Sequence, residues 1–196
     1  MTATAFARPL AALAAAVMTA MLAAPPAWSF EMTAPVQAEL DKQKVAIAKW
    51  AAEPTIVAAV KEQNSKGPLA GMDNATWKTT RRTDPAVKAF QASPAGQLLR
   101  TRVDGGAGTY NEAFLNGAKG EKVAFVEKTT SYIHAGQAKF DVPFGTGKAW
   151  QGKPEFDDSS QTHAIQISVP VLADGKPIGV LVVGVNLTHL EKVAKQ

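Results

Sequence analysis

The C-terminal segment constrains the fold of this chain more than any other part of the sequence. Residues 164–187 form two strand-like stretches on either side of Asp174-Gly175. This pattern predicts two antiparallel strands joined by a tight turn, because glycine accepts the positive φ that such a turn requires. The second stretch, residues 178–185, is almost continuously apolar, so we expect both of its faces to be covered. The hairpin is therefore expected to close a compact domain.

Residues 1–29 have the pattern of a secretory signal peptide. Arg8 supplies a short positive region, residues 10–24 are uncharged and rich in Ala, Leu and Met, and Ala27 and Ser29 occupy the −3 and −1 positions of a cleavage site. The apolar stretch is short for a membrane span, and an uncleaved N-terminal anchor is the alternative. The chain has no cysteine, so its core alone must hold it. We predict a secreted or periplasmic protein with a single domain at residues 30–196.

Helical patterns fill the first half of the chain and strand patterns fill the second. Residues 33–63 are amphipathic, with an interruption at Pro54, whereas residues 68–83 are polar and rich in turn formers. Asp84-Pro85 and Ser93-Pro94 each combine a good N-cap with a good first helical residue. From residue 109 onward we expect about five antiparallel strands, with residues 129–147 irregular. The sequence therefore predicts an α+β fold, in which a long N-terminal helix (30–64) packs on an antiparallel sheet (109–190).

Charge and motifs exclude several classes of function. The net charge is +4, and the densest basic cluster, Lys78, Arg81 and Arg82, is either a solvated face or an attraction for an anionic ligand. No basic strand with interleaved aromatic residues points to nucleic acid. His134, His163 and His189 lack metal-ligand spacing and are interpreted as surface histidines. The sequence contains no nucleophile elbow, so we expect no enzymatic activity, no metal and no cofactor.

Four segments resemble Cache domains, a family of PAS-like periplasmic sensor domains. They are residues 49–64 (KWAAEPTIVAAVKEQN), residues 130–132 (TSY), residues 156–159 (FDDS), and the closing hairpin with ISVPV at 167–171 and DGKPIGV at 174–180. The order and spacing of these segments, over about residues 40–190, carry the resemblance. It implies a long N-terminal helix packed on a PAS-like antiparallel sheet. It also implies a small-molecule ligand between that sheet and the segments above its outer face.

The resemblance implies a set of ligand-contacting residues. They are Tyr132, Lys139, Phe140, Phe144, Trp150 and Asp157. Lys139 is suited to pair with a ligand carboxylate, and Asp157 with a ligand ammonium or hydroxyl group. The alternatives are ordinary core packing for the aromatic residues, a solvated loop charge for Lys139 and a turn for Asp157. On the closing strand, Gln166 and Ser168 share one face and point to the pocket or to water, while the apolar residues of the other face pack on the helix.

The first functional hypothesis is an exported, standalone sensor module for a small, anionic metabolite of the carboxylate or amino-acid class. Such a module would pass its signal to a membrane sensor kinase or chemoreceptor. The second hypothesis is a structural or protein-interaction domain of the same fold, with the pocket filled by its own side chains. A hydrolase is the third. The apolar stripe of helix 33–63 also suggests a homodimer through that helix.

Overall fold

The computed structural model describes Met1, residues 30–157 and residues 161–196. The rest of the predicted signal peptide and residues 158–160 of a predicted turn lie outside the described residues. In the part that the structure describes, the helices are α1 Ala34–Ala51, α2 Pro54–Lys66, α3 Asn74–Thr79, α4 Pro85–Ala92, α5 Pro94–Asp104, α6 Ala138–Thr146 and α7 Leu187–Val193. The strands are β1 Tyr110–Asn116, β2 Lys122–Phe125, β3 Trp150–Gln151, β4 Glu155–Asp157, β5 Thr162–Ala173 and β6 Lys176–Asn186.

The strands form one antiparallel sheet in the order β2-β1-β6-β5-β3. Strand β4 also pairs with β5, through residues 162–164 of β5. The predicted closing hairpin is confirmed as β5 and β6, with Ala173 opposite Lys176. Asp174 and Gly175 both have positive φ, 50° and 75°, as a two-residue hairpin turn requires. Strand β6 is central, and its residues 179–185 are buried, as its apolar sequence predicted. The α+β fold with an antiparallel sheet is therefore confirmed.

One face of the sheet, which we call the inner face, is covered by α1, α2, α5 and α7. Leu40, Ile47 and Trp50 of α1 pack in this core, and the odd-numbered residues of β5 from Ile165 to Val171 join them. Within α1, Val45 is the one large apolar side chain that is mostly exposed, at 58 %. The sheet thus covers most of the apolar stripe of α1, and the dimer through residues 33–63 stays a prediction.

The opposite face, the outer face, carries the even-numbered residues of β5 and β6. A second core lies on it, built from Trp77, Phe114, Phe125, Tyr132 and Phe140 with smaller apolar neighbours. It is covered by α3, α4, α6 and residues 126–137. This covering layer is where the candidate site lies.

Two helices of the covering layer were not predicted. Helix α3 lies in the polar stretch 68–83, where Asp73 caps it by accepting a hydrogen bond from Thr76 N, and Trp77 anchors it in the outer core. Helix α6 lies in residues 129–147, which were expected to be irregular, and it contains Pro143. Both Phe140 and Pro143 of α6 are buried, so burial of its apolar face outweighs the missing N–H of Pro143. No described helix is long and apolar enough to span a bilayer.

Candidate ligand-binding site

The predicted aromatic site residues on α6 and before it form packing contacts. Tyr132 is fully buried, its ring lies 5.5 Å from that of Trp77, and its hydroxyl accepts a hydrogen bond from Leu69 N at 2.8 Å. Phe140 and Phe144 stack on each other at 5.1 Å. These side chains therefore occupy part of the space between the sheet and residues 129–147.

A buried polar cluster lies next to these aromatic residues and consists of Asn116, Lys122 and His134. The Lys122 ammonium is 3.4 Å from Asn116 Oδ1 and 3.5 Å from the centre of the Phe114 ring. The His134 ring lies 4.9 Å from that of Phe114. Both Lys122 and His134 are almost completely buried, at 0 % and 2 % exposure. The interpretation of His134 as a surface histidine is therefore wrong.

Burial controls the protonation of this cluster. It lowers the pKa of Lys122 well below its usual value, with Glu112 opposing the shift and Lys139 adding to it. Burial, and then the positive charges of Lys122 and Lys139, lower the pKa of His134 to about 2. His134 is therefore a neutral imidazole at neutral pH. Lys139, in the first turn of α6, contributes to both shifts and so lies near this cluster.

An open cavity of about 450 Å³ lies on the same face, and we call it the acidic cavity. It brings together three predicted site residues, Trp150, Asp157 and Gln166. It does not include Tyr132, Lys139, Phe140, Phe144 or Ser168. Ser168 is buried opposite Trp150 and Val182, and its hydroxyl has no hydrogen-bond partner among the described residues.

The sheet positions the polar groups of this cavity through its register. Glu112, Gly184 and Gln166 lie side by side on β1, β6 and β5. Gln166 Nε2 donates to Glu112 Oε1 at 2.6 Å, so the carboxylate is held across the central strand. A Cβ at Gly184 would meet Asn111 Oδ1 first and would lie 2.5 Å from Glu112 Cγ, so a larger residue there would displace both side chains. The glycine therefore makes room for the carboxylate in the floor of the cavity.

The charge of the cavity is negative. Glu112, Glu127, Glu155 and Asp157 contribute carboxylates, and Lys153 is the cation in the same lining. Glu127 is also paired with Arg100 at 3.0 Å. Trp150 adds an indole, which attracts cations through its ring face. This arrangement can hold an ammonium group, with Lys153 available for a carboxylate on the same ligand.

Sequence reasoning missed Glu112, Lys122 and Lys153. The alternation of β1 places Glu112 on the same face as Phe114 and Asn116, so the strand pattern held a signal for it. Lys122 opens a strand that is otherwise apolar, and its burial depends on packing that the sequence does not express. Among the described residues, no group of His, Cys, Asp or Glu side chains could hold a metal ion.

No family model and no curated protein sequence matches the chain. Solved structures that it resembles include the ligand-binding domain of the Pseudomonas aeruginosa amino-acid chemoreceptor PctC in complex with GABA (13 % identity, 82 % of this chain and 61 % of that chain, TM-score 0.46). The sensor domain of the Vibrio cholerae histidine kinase DctB is another (15 % identity, 82 % and 60 %, TM-score 0.41).

A third is the sensory domain of the Campylobacter jejuni chemoreceptor Tlp3 with isoleucine bound (13 % identity, 82 % and 64 %, TM-score 0.42). The chain thus spans about three fifths of the length of these solved domains. All three of these solved structures are sensor or ligand-binding domains.

Proposed function

We propose that this protein is a binding module for a small metabolite that carries an amino group, and that the acidic cavity is its binding site. The observation that carries the proposal is the joining of Trp150 with carboxylates from β1 and β4 in one open cavity on the outer face. A site with an aromatic wall and a few fixed polar groups is typical of small-molecule recognition. The ligand class is an amino acid or a related amine.

The charge of the lining decides between an anionic and a cationic ligand. The sequence favoured an anionic metabolite, yet four carboxylates and one lysine line the cavity. An ammonium group gains charge-assisted hydrogen bonds from these carboxylates and attraction from the indole, whereas a simple anion would be repelled. An amino acid presents both charges, and its carboxylate would face Lys153. The amino-acid class is therefore the one that we retain.

The lining gives no support for catalysis. Its described lining residues include no serine, cysteine or histidine that a base could activate as a nucleophile. His134 is neutral and buried in the polar cluster, outside this cavity. The proposed role is therefore recognition without chemical conversion.

The proposal extends to location and relay. We infer that the protein is exported, from the signal-peptide pattern of residues 1–29, and that it passes the bound state to a membrane sensor kinase or chemoreceptor. The support for the relay is the resemblance of the sequence to Cache sensor domains. Neither part is needed for binding itself, so a binding assay tests the core of the proposal alone.

A structural or protein-interaction role is the second candidate. It is favoured by Tyr132, Phe140 and Phe144, which fill the space under residues 129–147 where the resemblance placed the ligand. Under this alternative the outer core is complete and the acidic cavity is an incidental surface feature. The two candidates differ in one respect that can be measured, which is whether a small amine binds.

Isothermal titration with free amino acids and small diamines tests the proposal. We expect at least one compound to bind, and Glu112→Gln to weaken its affinity about tenfold or more, because a charge-assisted hydrogen bond contributes roughly 1.5–3 kcal/mol. Trp150→Ala should weaken binding as well. Glu191→Gln, which removes an exposed carboxylate from α7, is the matched control and should leave the affinity unchanged. Absence of binding by the whole panel would favour the structural role.

A further inference from the structure

A second charged depression, which we call the basic cleft, lies between α3 and the segment that follows β2. Its volume is about 670 Å³, and it shares no lining residue with the acidic cavity. Lys78, Arg82 and Lys128 line it together with hydroxyl-bearing and amide side chains. These are Asn74, Thr80, Thr129, Thr130 and Ser131. The cleft contains two members of the basic cluster in the sequence, Lys78 and Arg82, which the proposed function leaves unexplained.

The cations of the cleft lack a matching carboxylate. The described residues that line it include no acidic side chain, and the ion pair that reaches it is a long one, 3.9 Å from Arg82 Nη1 to Glu127 Oε2. Glu127 is held more closely by Arg100, at 3.0 Å. Arg82 therefore has only a weak counter-charge, and its side chain is 76 % exposed.

Lys128 is fixed more firmly than the other two cations. Its ammonium lies 4.6 Å from the centre of the Trp77 ring, over the ring face. Burial, and then the positive charge of Arg82, lower the pKa of Lys128. Lys128 and Arg82 are therefore close enough to repel each other. An anion held between them would offset this repulsion and favour the charged form of Lys128, which burial disfavours.

Hydrogen bonds from side chains to backbone carbonyls fix the segment that follows β2 at the cleft. Thr129 Oγ1 donates to Ser131 O at 2.7 Å, and Trp77 Nε1 donates to Thr129 O at 2.8 Å. These bonds hold residues 129–131 against α3, so Lys128 and the hydroxyl groups face the same space as Lys78. The cleft thus presents one guanidinium and two ammonium groups, which are groups that bind tetrahedral oxyanions in proteins, whereas the hydroxyls of Thr80 and Thr129 already donate to backbone carbonyls.

We propose that the basic cleft binds a phosphate-type oxyanion. The phosphate belongs either to a free phosphorylated metabolite or to the headgroup of an anionic lipid, and both present the same chemistry to the cleft. The two sites share no described lining residue, and Glu127 of the acidic cavity is the distant ion-pair partner of Arg82 in the basic cleft. A protein with both sites would bind an amine in the acidic cavity and an oxyanion in the basic cleft.

Titration with inorganic phosphate and pyrophosphate, against sodium chloride at equal ionic strength, tests the free-ligand source. We expect pyrophosphate to bind with the higher affinity, and the double variant Arg82→Gln/Lys128→Gln to lose at least about tenfold, since each lost charge-assisted contact contributes roughly 1.5–3 kcal/mol. The matched control is Lys176→Gln/Lys192→Gln, which removes two exposed charges elsewhere and should change the affinity less than about twofold. If the double variant fails to fold, Lys78→Gln on the exposed side of α3 replaces it.

Sedimentation with vesicles tests the lipid source. Retention by vesicles of phosphatidylglycerol and phosphatidylcholine, but not of phosphatidylcholine alone, supports a headgroup ligand if the double variant is not retained. Binding of free phosphate that the double variant loses supports the metabolite source. The proposal is overturned if neither probe binds, if chloride matches phosphate, or if the double variant binds as well as the control.

Discussion

At the scale of single residues, the outer face is defined by polar groups without partners. Three buried side-chain atoms lack a hydrogen-bond partner among the described residues: Asn116 Nδ2, His134 Nδ1 and Ser168 Oγ. All three lie on the outer face or in the segment that covers it. Buried polar atoms are normally satisfied, so each of these is available to an ordered water or a ligand atom. The inner core, by contrast, is built from apolar side chains.

His134 supports a prediction at this scale about pH and stability. Its pKa is about 2 in the folded protein against 6.5 in an unfolded chain, so the unfolded state binds the proton first as the pH falls. The folded state should therefore lose about 1.4 kcal/mol per pH unit from this group below pH ~6.5, and nothing above it. Urea unfolding at pH 7 and pH 5 should show a loss that is about 2 kcal/mol larger in the wild type than in His134→Phe.

Two further results decide this prediction. His134→Gln keeps a polar side chain without the titration, so it should share the flatter pH dependence of His134→Phe even if its absolute stability differs. An equal loss of stability in the wild type and in both variants would mean that His134 takes up its proton at the same pH in the folded and the unfolded state. His134 would then not be buried as described.

At the scale of elements, the sequence predicted those helices and strands whose signals are local. Helices α4 and α5 begin at Asp84-Pro85 and Ser93-Pro94, where Asp84 accepts from Ala86 N at 2.9 Å and Ser93 from Gly96 N at 3.1 Å. The closing hairpin followed from its turn residues and its apolar run. Helix α6 could not be predicted, because Pro143 and the nearby glycines are residues that usually interrupt helices. Its stability comes instead from contacts with β5 and β6.

The predicted site residues fall into two groups, because some were placed by strand pairing and others by tertiary contacts. Trp150, Asp157 and Gln166 meet in the acidic cavity because strand pairing brings β3, β4 and β5 together. Tyr132 and Phe140 instead pack in the outer core, which depends on the unpredicted helices α3 and α6. The strand pattern of the sequence thus held information about the residues of the acidic cavity, whereas the positions of residues in the covering layer depended on tertiary contacts.

Asn74, the first residue of α3, supports a prediction at the scale of elements. Its Oδ1 accepts hydrogen bonds from Tyr132 N and Ile133 N, both at 2.8 Å, and its Nδ2 donates to Ile133 O at 3.0 Å. Asn74→Ala leaves these backbone groups without the side-chain partner and should cost about 1–3 kcal/mol of unfolding free energy. Hydrogen exchange at Tyr132 and Ile133 should become faster.

Asn74→Asp is the comparison variant, because it keeps the acceptor oxygen while it replaces the donor to Ile133 O with a charged carboxylate oxygen. It should retain most of the protection at Tyr132 N and Ile133 N. Unchanged exchange in Asn74→Ala would contradict the conclusion that α3 holds the segment after β2.

At the scale of the whole molecule, the two faces of the sheet have different roles. The inner face and its helices form an apolar core that holds the fold without disulfides. The outer face carries a second core, the buried polar cluster and the acidic cavity. Because β6 is shared by both cores, a ligand held at Glu112 and Gln166 contacts strands that also carry the inner core. A ligand bound at this place is therefore expected to stabilise the whole sheet.

The central claim is that the acidic cavity recognises an ammonium group. The most direct measurement is the melting temperature of the protein with free amino acids and diamines, compared with the fully N-acetylated form of each compound, in which every amine is acylated, at the same concentration. Binding raises the melting temperature in proportion to RT ln(1 + [L]/Kd). We expect at least one free amine to raise it, and its acetylated partner, which has no ammonium, to have no effect. An equal rise with both forms, or no rise with any free amine, would contradict the claim.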